Sequence, residues 1–221
     1  MVLRMGIDGT QARFALVRAE RSVEREFFLS DSLCFDSEAD PITYQPDKDV
    51  LLPFELLGSL QEGGAVNLAV ATGLLGRALN LDEPYSRVAP TQSASTHAFV
   101  VRPHASYAVQ WTHESGQVEI DTIYLGKRAG QQKLFVIEAK HGKPGAGLAK
   151  HKLAYPAYVM ASKPLPKGIE IVPVYLRSWQ DGERVLFGAA ECTFGGAAAA
   201  MTSIEPLARA KIYAVPLLFT R

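Results

Sequence analysis

Three residues of this chain have the types and spacing needed for phosphodiester chemistry: Asp121, Glu138 and Lys140. Glu138 and Lys140 stand two apart at the end of Phe135-Val136-Ile137-Glu138-Ala139-Lys140, an apolar, strand-forming run. The two-residue period of a strand puts both on one face. Asp121 closes the alternating run Val118-Glu119-Ile120-Asp121, 17 residues upstream (138 − 121). Residues 126–132 are charged and contain glycine, and they read as the turn between two paired strands. Pairing across that turn brings Asp121 beside Glu138, with Cβ atoms roughly 4.5–5.5 Å apart. Two carboxylates so placed repel unless a cation lies between them. Magnesium takes one or two carboxylates and keeps several waters, leaving room for a phosphate. Such a metal polarises the phosphoryl oxygen and acidifies a bound water. Lys140 supplies a positive charge for the developing phosphorane.

The elements that must position these residues follow from periodicity. Val66, Leu68, Ala69, Ala71, Leu74, Leu75 and Leu79 recur at helical spacing and predict a helix over 65–80. Strand-like runs follow at 98–101, 107–111, 118–125 and 133–139, with a turn at 113–116. They read as an antiparallel meander. A helix is expected over 148–162, with Pro156 kinking it or shifting its start. Strands at 169–176 and 184–189 flank the Asp181-Gly182 turn, and the tail 203–221 predicts a short helix and a last strand at 212–218. The core order is helix, strand, strand, strand, helix, strand, an α/β arrangement with a mixed sheet. Residues 1–60 hold 11 acids and six bases and are expected to form a small N-terminal lobe or arm, with 61–221 as the main domain.

Asp121 with Glu138-Ala139-Lys140 resembles the signature of the PD-(D/E)XK nuclease superfamily. The resemblance covers about 65–190, and Ile120 stands where the family name has proline. It implies a restriction endonuclease-like core over that span, Mg²⁺ as cofactor with Mn²⁺ able to substitute, and DNA as substrate. A restriction-type endonuclease is the leading expectation. A repair or recombination nuclease, and a non-catalytic nucleic-acid-binding domain that retains the fold, are the alternatives. Many members add a helical residue after (D/E)-x-K with a tyrosine a turn later. Lys150, His151 and Lys152 followed by Tyr155 are the matching positions, with Lys152 the first choice. Some members place a further acidic metal ligand on the first helix. The stretch 65–80 contains no acid, so Glu62 is the closest candidate and Glu55 and Glu83 are weaker, which leaves the number of metals open.

The bulk properties bound the remaining classes. The 221 residues are 48% hydrophobic with a formal net charge of zero. Charge is nevertheless uneven: residues 127–167 carry nine Lys/Arg against Glu138 alone, or 9 − 1 = +8, and the rest of the chain is −8. This block, including Lys143 in the glycine-rich 142–147 loop, is expected to face DNA phosphates, and the loop is expected to be flexible. Cutting both strands calls for two sites, so a homodimer is expected. Cys34 and Cys192 read as isolated thiols of a reducing interior. No signal peptide or membrane-spanning run is visible, and a cytoplasmic protein is the default. His97, His104 and His113 are spaced too widely for a compact zinc motif. Glu119, flanking Asp121, is expected to point to the opposite strand face and is read as structural or as a partner for a basic residue.

Overall fold

A computed structural model describes residues 1–58, 60–145 and 147–218, with the backbone alone for 91–94. The elements run in the order β1 (Val2–Asp8), β2 (Gln11–Leu16), α1 (Val23–Phe27), β3 (Phe28–Leu29), α2 (Asp31–Cys34), β4 (Ile42–Thr43), α3 (Lys48–Leu56), α4 (Glu62–Ala71), α5 (Leu74–Ala78), β5 (Thr91–Val101), β6 (Trp111–Arg128), β7 (Gln131–His141), β8 (Leu148–Ala149), α6 (Lys150–Ala161), β9 (Glu170–Asp181), β10 (Arg184–Glu191) and β11 (Ile212–Pro216). The chain is mixed α/β. Its main sheet, nine-stranded among the described residues, has the order β2-β1-β6-β7-β9-β10-β11-β4, with β5 also paired to β6. β6 and β7 are antiparallel, β7 and β9 parallel, and α6 connects the parallel pair.

The strand period explains the two cores. Val136 packs into one cluster with Leu153, Ala154 and Tyr158 of α6, while its neighbours Phe135 and Ile137 pack into the other with Leu68 of α4 and Leu74 of α5. β7 is therefore covered on both faces, as expected for a strand with a parallel neighbour. Its apolar character gives way at Glu138, where the site begins.

Several expectations change in detail. The helix over 65–80 is two helices: Gly73 takes φ 82 between α4 and α5, and α4 starts earlier, at Glu62. The expected turn at 113–116 is no reversal, because β6 runs through it and residues 107–110 lie outside any strand. His97 pairs with Gly116 and Phe99 with His113, so two residues of β6 oppose one of β5. That is a bulge, with Ser115 at φ 47, and the polar His-Glu-Ser-Gly stretch marks a kink instead of a loop. The tail holds only a three-residue 3₁₀ turn, Met201–Ser203, before β11. The last part of the expected tail, 219–221, lies outside the described residues.

Residues 1–60 contribute to both ends of the main sheet. β4 pairs with β11, and the β1–β2 hairpin joins β6 where Gly6 pairs with Glu114. A Cβ on Gly6 would lie 1.8 Å from the Glu114 carbonyl oxygen, at φ 101, so this junction requires glycine. Leu3, Met5, Phe27, Leu29, Cys34 and Phe35 enter the same core as α6. Cys192 lies there too, and both thiols are free and pushed up by burial.

Candidate active site

β5 occupies one edge of β6, while β7 and β1 share the other, β7 along 122–128 and β1 at Glu114. The β6–β7 ladder ends at Thr122 opposite Ile137. One step further in that register (122 + 137 = 121 + 138) Asp121 stands opposite Glu138. The two carboxylates are 7% and 5% exposed. Asp121 Oδ2 accepts a 2.7 Å hydrogen bond from the Ala139 N–H, taking the place of a strand carbonyl where the ladder opens. Glu138 Oε1 accepts a 3.1 Å hydrogen bond from Lys152 Nζ, which reaches down from the first turn of α6.

Burial pushes the Glu138 carboxyl up from 4.5 to about 8, and the Asp121 charge pushes the same way against the opposing Lys152. Burial also raises Asp121, the Ala139 N–H holds it back, and Glu62 and Glu119 add repulsion. For Lys152 burial favours the neutral amine, but Glu138 and Asp121 outweigh it and its pKa rises. Two buried acids and one ammonium thus form a strongly coupled group.

Glu62, the first residue of α4, acts electrostatically on Asp121, Glu138 and His141, which puts it at the rim of the same site. Lys140 is half-buried two residues beyond Glu138, in register with Arg177 of β9. Among the described residues no ion pair joins Lys140 to either acid; the cation in contact is Lys152. No group of three or more His, Cys, Asp and Glu among the described residues is drawn together as a ready metal cluster. The donor chemistry still suits a hard cation, since the oxygens are carboxylate and their mutual repulsion is relieved only in part by Lys152.

The family model described as "Domain of unknown function (DUF6997)" matches residues 37–211. The chain belongs to the DUF6997 family. No curated protein and no solved structure matches it. The DUF6997 match takes in Glu62, Asp121, Glu138, Lys140 and Lys152, and begins six residues after Asp31 (37 − 31).

Within the DUF6997 segment, α6 differs from the expected basic, DNA-facing helix, since most of it is buried against the sheet. Lys150 is fully buried, and its Nζ donates to the Thr202 carbonyl and pairs with Glu205 at 2.6 Å, away from the acids. Tyr155 is buried as well: its hydroxyl donates to the Arg4 carbonyl, and its ring packs on Phe99 and His113. Both residues serve packing, because α6 lies in the core it shares with β1 on one face of the main sheet. His151 is partly buried with its Nδ1 unpartnered among the described residues. Burial, with the Lys152 charge, pushes it down to about 4, so it is neutral at pH 7 and offers phosphate no charge. Lys143 is exposed. The wider basic block is also partly spent internally: Arg128 pairs with Glu191, Lys133 with Glu170, Lys150 with Glu205 and Lys152 with Glu138. Lys150→Ala is expected to cost about 2–3 kcal/mol in urea unfolding and to leave DNA affinity unchanged. Reduced affinity at unchanged stability would return Lys150 to the interface.

Gly142, Lys143, Gly145 and Gly147 of the glycine-rich loop are held by hydrogen bonds or close packing. Arg177 Nε donates to the Gly142 carbonyl at 3.1 Å, Arg177 Nη2 donates to the Lys143 carbonyl, and the Gly145 N–H donates to Asp31 Oδ2 at 2.6 Å. Tyr175 OH links Arg177 to Asp31. A Cβ on Gly147 would lie 2.1 Å from the Leu29 carbonyl oxygen, at φ 74. Asp31 and Arg177 are both buried, and sequence reasoning missed them. Asp31 is one acid among many in 1–60, and Arg177 ends an apolar run whose only hint was a charge inside a strand. Glu119 was misread: expected on the opposite face from Asp121, it stands two residues before it and so shares that strand face, and its charge acts on both Asp121 and Lys152.

Proposed function

We propose that this chain is a divalent-metal-dependent nuclease of the PD-(D/E)XK type that hydrolyses DNA. The observation that carries the reading is the pair of buried acids, Asp121 and Glu138, set opposite each other where two neighbouring strands part. The succession α4, α5, β5, β6, β7, β8, α6, β9, with β7 and β9 parallel, supports a restriction endonuclease-like core. So does the position of the acids on its second and third strands.

Asp121 and Glu138 would hold Mg²⁺, or Mn²⁺ in its place, with Glu62 able to add a further oxygen from the helix start. Such a cation polarises a phosphoryl oxygen and lowers the pKa of water when bound. The Ala139 N–H fixes one Asp121 oxygen and leaves the other available. Lys152 keeps Glu138 compensated, and its half-exposed ammonium is positioned to meet an incoming phosphate once the acid has another counter-charge. Lys140, two residues on along β7, is the second ammonium available to the scissile phosphate.

Plasmid and linear DNA incubated with Mg²⁺, and separately with EDTA, test the reading. Cleavage that EDTA abolishes is expected. DNA binding without any cleavage over a range of divalent cations would refute catalysis and leave a binding domain.

A further inference from the structure

Two adjoining hollows of about 520 Å³ each open beside α5 and β11, and Arg77 and Tyr213 line both. Arg209 and Lys211 stand on the wall of one, Arg87 and Tyr85 on the wall of the other. These three cations and Arg77 itself are side chains of the surface; among the described residues no ion pair engages Arg77, Arg87, Arg209 or Lys211, while Arg87 Nη1 donates to the Ala71 carbonyl at 3.0 Å. The acids on these walls are already committed: Glu191 pairs with Arg128, and Glu83 accepts from the Tyr85 hydroxyl. Counting the lining charges, five Arg/Lys (77, 87, 128, 209, 211) stand against two Glu (83, 191), a net of 5 − 2 = +3 in a protein of net zero charge.

We infer that this groove binds a single strand of nucleic acid. Arginines and a lysine without an acid partner along a trough track a phosphate backbone, and partly exposed tyrosine rings give bases a surface to stack on. The groove lies on the sheet face covered by α4 and α5, at the Arg128 end of β6. Arg128 pairs with Gln131, seven residues from Glu138, so the groove and the paired acids stand about 20 Å apart along the strand. It is a separate surface from the basic block around α6. It takes its ligand class from charge and aromatic lining and stands without the catalytic reading.

The test is binding of a fluorescent oligothymidylate, read by anisotropy in EDTA so that cutting plays no part. The triple variant Arg77→Ala, Arg209→Ala, Lys211→Ala is expected to bind at least tenfold more weakly. It should also lower the salt slope by about 2, at roughly 0.7 per phosphate contact on a single strand. The matching lysine variant, Arg77→Lys with Arg209→Lys, should keep most of the affinity, which separates lost charge from lost fold. Tyr85→Ala with Tyr213→Ala should weaken binding at least fivefold with the slope unchanged. Undiminished binding by the triple variant would overturn the assignment. So would tighter binding of duplex than of single strand, or equal competition by polyglutamate, which would mark the groove as a site for acidic peptide.

Discussion

Glu138→Gln is expected to reduce metal-dependent DNA cleavage more than about a hundredfold while making the metal-free protein more stable at pH 8. Substituting groups that merely orient metal ligands costs about 10–100-fold, and Glu138 would be a ligand itself. The gain in stability has a different origin. Glu138 is 5% exposed and faces Asp121, so its ionised form is disfavoured in the folded chain. Glutamine fills the same volume, still accepts from Lys152 Nζ, and removes one of the two repelling charges. A variant that loses cleavage because it unfolds would show a lower melting temperature; this one should show a higher one. Asp121→Asn should behave the same way in cleavage, with its hydrogen bond from Ala139 retained. Lys140→Ala and Lys152→Ala divide the two ammonium roles. The first should change cleavage without changing stability, since no ion pair of Lys140 with either acid is lost. The second should also destabilise the fold, since it strips Glu138 of its cation. Full cleavage by Glu138→Gln would remove the central support for a nuclease.

The acids were legible because strand chemistry is local. Phe135-Val136-Ile137 can hardly be other than a buried strand, and a run of that kind ending in Glu-Ala-Lys declares a polar site at its exit. The charged, glycine-containing turn gave the partner strand and hence Asp121. What failed was everything that depends on what lies against an element. Lys150, Lys152 and Tyr155 occupy one short stretch, yet one meets Glu205, one Glu138 and one the backbone of β1. The fates of Lys150 and Tyr155 are set by residues 200–205 and 1–60, which carry no pattern that points to α6, whereas Lys152, the first choice, does meet Glu138. A basic helix in sequence became a buried helix because its lysines found acids from distant segments. The bulge at 114–115 was misread for a related reason: a polar tetrapeptide looks the same whether the chain reverses or only kinks, and only the partner strand decides. Asp31 and Arg177 were missed because their meaning exists only as a pair, formed across 146 residues (177 − 31).

The stability of the metal-free protein is expected to fall between pH 6.5 and pH 8, and Mg²⁺ should abolish the fall. Glu138 ionises near 4.5 when unfolded and at about 8 when folded. Between those values the folded chain keeps a proton that the unfolded chain has lost. The folded state then binds more protons, and stability declines as pH rises, levelling off above about 8. His151 has the opposite sign. Its folded pKa, pushed down to about 4 from 6.5, makes stability rise with pH between those values and contribute nothing further above 6.5. His97, His113 and His141 are lowered too and act in the same direction below 6.5. Below pH 6.5 the histidines therefore mask the acid. Above it Glu138 dominates, with the raised Asp121 acting in the same direction, until the thiols begin to titrate in the unfolded chain. The clean window spans about 1.5 pH units, which at about 1.4 kcal/mol per unit predicts a loss of roughly 2 kcal/mol. A divalent cation binds only the ionised carboxylate, so its affinity should climb up to tenfold per unit across this window and plateau near pH 8. Urea unfolding at pH 6.5, 7.25 and 8, with and without 10 mM Mg²⁺ (about the scale at which a weak site saturates), measures both effects. Glu138→Gln should be flat throughout. A wild-type stability that stays level or rises from pH 6.5 to 8 would mean that Glu138 is already ionised in the fold, and that Lys152 alone satisfies it without need of a metal.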